Sequence, residues 1–592
     1  MKKNTIRLHS CPKKYTYDQD KACTPEQTVQ RFYQRLQDTG LDILKEVQRI
    51  DTGRLGIPVF FSVCGKDALQ IIGTKKQMGK GSTPEQSQAS ACMELAERFS
   101  FFSFLKNAEN FIIGDYAAMQ KAGYPVLPLS FLLQSVHDEQ RSPQELEQLL
   151  TDIPLRWTWA RNVTKERDVL VPFSWFYAIN EFNGPCAGNT IEEAVLQGIS
   201  EVVERHVCAL ITLEKLRTPT IDPTSVTDPV ARRLIHTFEH NGIQLQLNDF
   251  SLNTGIPTIG ALAWDPKTFP EKSELVYTAG TTPGADKALI RALTEVAQLA
   301  GDFESGSNYV ASGLPKPLSL DEVNYLFTPD QTISIDQLPQ IEADDMLQEV
   351  HNCLEALQKI NMEVFIVNTV HPDLQIPTAY TIIPGAHFRE RAASGDASLF
   401  AAKLAADLLA PDALEEKMAA MQQYLPDAYY LEFYRGRNFY NQGMIESARH
   451  CFEQALTMHP NQEDMPYLYS YLGTCLRDLE RFEEAIPILE QGLICDEERS
   501  DIHNIIGVCH FKMNRFEQAV NHFQRAVQLN PVSSIDYANL ALNQQQLGRN
   551  QEAITNYQIA LGQDSSIAFA VENLALLLAE DKQAGQIARE EQ

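Results

Sequence analysis

No stretch of the sequence approaches the roughly 18 consecutive apolar residues that a membrane-spanning helix requires, so no membrane association is expected. The basic opening MKKNTIRLHSCPKK leads into YTYDQDKACTPEQ, which lacks the apolar core of a signal peptide, and a cytoplasmic protein is expected. The eleven cysteines never form a CxxC pair, which argues against a disulfide framework or a zinc ribbon. Most of them lie in apolar helical contexts, where Cys behaves as a small hydrophobe. Positive charge is scarce: 50 Lys and Arg stand against 78 Asp and Glu, a net charge of −28, so nucleic acid is not expected as a partner. A Walker phosphate loop is also missing. Gly73 and Gly79 are separated by five residues and Lys80 is followed by Gly81, although Lys80 itself is kept as a phosphate contact.

What is present is a chain of 592 residues with 44% hydrophobic and 22% charged residues, enough for more than one packed core. Its most informative stretch is 189–208, NTIEEAVLQGISEVVERHVC. On one helix, Glu193, Gln197, Glu201 and Glu204 recur at steps of four, four and three and share a face. Taken alone, the stripe reads more readily as a surface helix with an internal Glu–Arg pair than as a ligand site. The intervening Ala194, Val195, Leu196, Ile199, Val202, Val203 and Val207 are too apolar for that, and place the acids in a cleft. Clustered there, carboxylates repel one another unless a cation joins them, so a metal or a metal carrying a polyphosphate is the natural counterpart.

Two further helices repeat the theme. Residues 84–105 place Ser90, Glu94, Glu97 and Arg98 at steps of four, three and one, and their ExxER matches that of 201–205. Residues 284–298 place Arg291, Glu295 and Gln298 on one face, with Ala288, Leu289, Ala292, Leu293 and Val296 beside or opposite them. An opening helix over 24–48, broken at Gly40, carries Lys21 and Thr28 at its entrance. Strands are expected at 59–64, 68–72, 157–160, 169–173, 256–264, 275–280, 364–367 and 379–383, with 73–83 as a linking segment. Cys92 and Cys186 adjoin the motifs, but no His stands at a spacing that would make either a nucleophile, and a packing role is expected.

From residue 429 the texture changes. Small and aromatic positions recur, as in Gly436, Ala448 and Phe452; Gly473, Ala485 and Leu489; Gly507, Ala519 and Phe523; Ala541, Ala553 and Tyr557. The period is 34 residues, lengthened by three around 461–464, which is the tetratricopeptide pattern of paired antiparallel helices. Four repeats are expected, with an apolar capping helix over 567–578.

The segments GKGSTPEQSQASACMELAERFS, GNTIEEAVLQGISEVVERH, ALIRALTEVAQ and IPTAYTIIPG, in this order, resemble the YcaO family over about residues 20–410. The resemblance implies an α/β (α+β) ATP-binding domain with mixed sheets and packed helices, followed by an all-α tetratricopeptide solenoid. The expected domains are 1–415, a linker at 416–426 and the repeats at 427–585. ATP and Mg²⁺ are the implied cofactors. Glu94, Glu97, Glu193, Glu201 and Glu204 would form the Mg²⁺ and phosphate shell, and Asn189, Arg205 and Arg291 would contact nucleotide. Lys21 and Thr28 match a Lys and Ser spaced seven apart near the start of family members. Lys80 and Ser90 complete the cofactor-binding set. The implied activity is phosphorylation of a backbone amide oxygen in a peptide or protein, with azoline, thioamide or amidine products, and no residue is singled out as catalytic. The helix that often reads QxxR in relatives has no Arg after Gln298, and the proline-rich C-terminal tail of azoline-forming members is absent, so azoline formation is less favoured. The alternative is a nucleotide-binding accessory protein for ribosomal protein S12 methylthiolation; a carboxylate-rich amide ligase is a third reading. The repeats are expected to dock the substrate or a protein partner, and a homodimer is a further expectation.

Overall fold

Thr24, Thr83 and Thr190 begin the helices Pro25–Thr39, Pro84–Lys106 and Ile191–Glu214, each side chain accepting the backbone N–H three residues on. This capping satisfies an N–H that has no partner inside its helix, and Pro25 and Pro84 are preorganised for the first turn. The computed structural model describes residues 3–51, 53–73, 76–300, 303, 314–388 and 395–590, which fall into two units, Met1–Phe400 and Ala401–Gln592. Thr74 and Lys75 of the expected linking segment, and Gly301, lie outside the described residues. Among the described residues, no helix is long and apolar enough to cross a membrane.

Among the described residues, the first unit contains three sheets. Leu44–Arg49, Val59–Cys64 and Lys76–Lys80 form an antiparallel three-stranded sheet. Val276–Thr281, Thr258–Trp264, Gln244–Asp249, Thr220–Ile221 and Thr332–Ile333 follow one another in the second, antiparallel except for the last pair. In the third, Ile112–Gly114, Leu155–Asn162, Phe365–Asn368, Thr378–Ile382 and Pro185–Ala187 are neighbours in that order, and Arg167–Pro172 also pairs with Leu155–Asn162. The helix Ala285–Ala300 packs on the second sheet and buries Ala288, Leu289, Ala292 and Val296 in its core. Mixed sheets with packed helices are the expected class for this unit.

Three local expectations are corrected. The first helix stops at Gly40, whose φ of 69° supplies the left-handed cap, so Leu41 and Leu44 belong to the chain beyond it and 44–49 is a strand. Residues Lys66–Ile72 are a helix, closed by Gly73 at φ 80°, where a strand was expected from a short apolar run too brief to show its period. Part of the expected linking segment is the strand Lys76–Lys80, paired with Val59–Cys64.

Two glycines set how closely helices approach sheets. A Cβ on Gly198 would lie 2.2 Å from the Thr381 hydroxyl and 2.8 Å from the Cys186 sulfur, so the bare backbone lets the Ile191 helix rest directly on the third sheet. A Cβ on Gly79 would lie 2.1 Å from the Ala91 nitrogen, which brings the Lys76 strand onto the Pro84 helix. On another face of the Ile191 helix, His206 accepts the backbone N–H of His387 through Nδ1 at 3.1 Å, and His387 stacks on His137 with centroids 3.5 Å apart.

The second unit is all helical. Pro411–Gln422 precedes four pairs: Tyr429–Asn441 with Ile445–Thr457, Met465–Asp478 with Phe482–Cys495, Ser500–Lys512 with Phe516–Leu529, and Ser534–Gln546 with Asn550–Gln563. Ala568–Glu590 closes the series and extends past the expected end of the cap at 578. Within pairs, Gly436 faces the Phe452 ring, Gly473 faces Leu489 and Gly507 faces Phe523, which is why small and large residues alternate at fixed spacing. The expected linker at 416–426 is largely helix, because Leu414, Met418 and Met421 recur at steps that bury one face and Pro411 starts it.

Gly198→Leu should destabilise the first unit by roughly 1–3 kcal/mol or more through overpacking, read as a lower urea midpoint. Acidification should do the same by another route. Burial and neighbouring His387 hold His206 down at about 3 and His137 at about 4. Both are neutral in the fold while unfolded His titrates near 6.5, so their contribution is full above that pH and lost as pH falls towards 4. At ~1.4 kcal/mol per unit, thermal melts should show a marked loss between pH 7 and 5 that His137→Gln reduces.

Candidate functional site

The faces of the Pro84, Ile191 and Ala285 helices meet around one cavity of about 310 Å³. Its lining includes Lys21, Thr28, Lys80, Ser90, Glu94, Glu97, Asn189, Glu193, Glu201, Glu204, Arg205 and Arg291, every position expected from the sequence to bind cofactor or metal. Glu295, Gln197 and Gln298, expected on the same faces, are also there. Sequence reasoning missed Asp18, Gln19, Ser82 and Gln86. Asp18 and Gln19 lie in a loop with no periodicity, which leaves no pattern to find them by.

Each carboxylate has a partner at hydrogen-bond or ion-pair distance. Glu193 accepts from the Ala22 backbone N–H at 2.9 Å and from Asn189 Nδ2 at 3.2 Å, and Lys21 approaches it at 3.6 Å. Thr28 donates to Asn189 Oδ1 at 2.9 Å, which ties the opening helix to the second motif. Glu94 accepts from Arg98 at 2.9 Å, with Glu97 3.7 Å from the same guanidinium. Glu204 accepts the Thr281 backbone N–H at 3.1 Å. Arg205 stands 3.9 Å from Glu201 and 3.7 Å from Glu204, which are ion-pair distances longer than hydrogen bonds. Lys80 pairs with Glu295, and Arg291 donates to Gln197 at 2.9 Å.

The electrostatics of this set are unbalanced. Seven carboxylates and five cationic side chains line the cavity. Burial, then repulsion from Glu94, pushes the Glu97 carboxyl well above the usual range. Burial also raises Glu201 and Glu204, although Arg205 draws both back towards ionisation. Glu295 goes the other way: burial raises it, but Lys80 and Arg205 more than offset that and hold it ionised. A cation among acids raised in this way would return them to the ionised form. The Nε atoms of Arg205 and Arg291, two residues of the cavity lining, are buried without a hydrogen-bond partner. Carboxylates in excess together with unpaired guanidinium donors fit a cation bound along with an anion, which is the make-up of a metal–polyphosphate. Among the described residues no three acidic, His or Cys side chains converge on one point as a complete metal cage. Mg²⁺ does not need one, because it is typically held by one or two carboxylates with phosphates and water completing the shell.

Neither cysteine beside the motifs is reactive. Cys92 and Cys186 are fully buried, burial pushes the Cys92 thiol up to about 12, and Cys186 donates to the Ala379 carbonyl.

Comparison with known proteins then decides the family. The profile for YcaO cyclodehydratase, ATP- and Mg²⁺-binding, matches residues 78–387. The chain belongs to the YcaO family. Its cofactors are therefore ATP and Mg²⁺. Tetratricopeptide profiles match residues 435–501 and 500–531, so the YcaO region is followed by repeats. An uncharacterized protein of Methanothermobacter thermautotrophicus is 26% identical over 391 residues, covering 62% of this chain and 94% of that protein. The ribosomal protein S12 methylthiotransferase accessory factor YcaO of Escherichia coli is 28% identical over 305 residues, covering 48% of this chain and 50% of that protein. Among solved structures, a heterocyclase in complex with substrate and cofactor shares the fold at a TM-score of 0.51 and 23% identity, covering 65% of this chain and 54% of that one.

Arg205 balances two buried acids, so Arg205→Met should cost roughly 3–5 kcal/mol by leaving them unpaired. Urea unfolding without nucleotide measures this, and adding Glu204→Gln should restore part of the loss. An unchanged midpoint in Arg205→Met would show that the pair is not coupled.

Proposed function

We propose that the first unit uses ATP and Mg²⁺ to activate a backbone amide of a peptide or protein by phosphorylating its oxygen. A nucleophile then replaces the activated oxygen, giving cyclodehydration, thioamidation or amidine formation. The observation that carries this reading is the buried acid-rich cavity with two unpaired arginine donors, on a fold shared with a heterocyclase. MgATP supplies the phosphoryl group that turns the amide oxygen into a leaving phosphate.

In this reading Glu94, Glu97, Glu193, Glu201 and Glu204 would together supply the Mg²⁺ and phosphate shell, one or two of them on the metal itself. Arg205 and Arg291 would offer their guanidinium groups to the phosphates, and Lys21 and Lys80 would add positive charge. Thr28, Ser90 and Asn189 position the nucleotide. An amide oxygen is a weak nucleophile, so the work of such a site is alignment and neutralisation of charge. The repeats match a class of protein-interaction module, and we assign them the docking of the substrate or of a partner. A second reading is a nucleotide-binding accessory protein, favoured by the name of the E. coli relative, of which the match spans half.

Glu201→Gln should weaken MgADP binding at least tenfold while leaving metal-free nucleotide little changed, as read by calorimetry. With wild-type protein and candidate peptides, ADP release together with a mass change in the peptide supports the enzyme. Binding without turnover on any peptide favours the accessory reading, and absence of MgADP binding sinks both.

A further inference from the structure

Residues 9–22 lie outside the segment matched by the family profile, yet Asp18, Gln19 and Lys21 form part of the cavity wall. The loop is closed by backbone bonds at its neck: Tyr15 and Lys21 exchange N–H and carbonyl at 3.1 and 2.9 Å, and Lys14 N–H also reaches Lys21. Inside, the buried Asp18 accepts from Ser82 N–H and Oγ at 3.1 and 2.7 Å. Two ammonium groups fasten it from outside the cavity. Lys287, on the Ala285 helix, donates to the carbonyls of Thr16 and Tyr17 at 2.8 and 2.9 Å. Lys13, in the loop's own stem, bridges Asp20 at 2.6 Å and Glu349 of the helix Met346–Gln358 at 2.7 Å. Neither lysine lines the cavity.

We propose that residues 9–22 are a strap whose closed position completes the nucleotide site, and that Lys13 and Lys287 are its positioning residues. The inference rests on the reading of the cavity as the MgATP site. A loop gains conformational entropy when released, so its closed fraction depends on such fastenings. Apparent affinity falls in proportion to that fraction, because nucleotide meets Asp18 and Lys21 only in the closed state. By linkage, bound nucleotide must hold the strap closed by the same factor.

The two Met variants leave different surroundings: Lys13→Met takes a cation from Asp20 and from Glu349, whose carboxyl burial raises to about 7, and Lys287→Met takes one from two neutral carbonyls and from Asp228, 4.0 Å away. The test is hydrogen exchange of residues 9–22 and calorimetric MgADP affinity in full-length wild type, Lys13→Met, Lys287→Met and Lys287→Arg. Expected are protection of the strap by MgADP in wild type, faster strap exchange with at least tenfold weaker MgADP binding in both Met variants, near-wild-type binding in Lys287→Arg, and a cooperative thermal transition in each nucleotide-free variant that shows it folded. Two variants at separate fastenings, one in the loop's stem and one on the Ala285 helix, guard against one failing to fold. Wild-type affinity in Met variants whose strap exchanges faster, or a wild-type strap that MgADP does not protect, overturns the strap alone. Absence of MgADP binding in wild type overturns the reading of the cavity and the strap with it.

Discussion

Carboxylates taken out of water beside other carboxylates are the constraint on which the first unit is built. Glu97, Glu193 and Glu204 are all nearly inaccessible, and an ion of that size loses several kcal/mol of hydration on burial even after the protein relaxes. The structure meets this cost with fixed donors: Arg98 and Arg205 on the same helices as the acids, and the backbone N–H groups of Ala22 and Thr281. Those two N–H groups belong to the opening segment and to the second sheet, so Glu193 and Glu204 join parts of the unit that are distant in sequence. Under the proposed reading, stability and ligand recognition are carried by the same side chains.

Much of this was legible in the sequence because the helix period is a strong signal over twenty residues. Glu193, Gln197, Glu201 and Glu204 define a face by spacing alone, and the apolar residues between them show that the face is not solvated. The two ExxER segments and Arg291 then meet at one cavity, as three chemically matching stripes should. The repeats were legible for a different reason: Gly507 needs the Phe523 ring to fill the space it leaves, so both recur with the unit.

What escaped notice lacks a period. Asp18 sits in a loop closed by its own backbone bonds, and Ser82 precedes the cap of a helix whose pattern begins only after it. Residues 66–72 are too short to separate two turns of helix from a strand. Gly40, read as a break within one helix, is the left-handed cap at its end, and the strand after it takes its pairing from residues 59–64 far along the chain. In each case a tertiary partner decides the conformation, and no local propensity reveals the partner.

The contact at Gly198 also has a historical consequence. With its bare backbone against Thr381 and Cys186, the Ile191 helix is fixed in both height and rotation at its middle. A single inserted residue between Glu193 and Gly198 would turn the first acid about 100° away from the cavity, while Glu201 and Glu204 kept their place. A change of length between Glu193 and Gly198 therefore removes Glu193 from the cavity wall. Divergence along this helix must proceed by exchange of side chains at constant length.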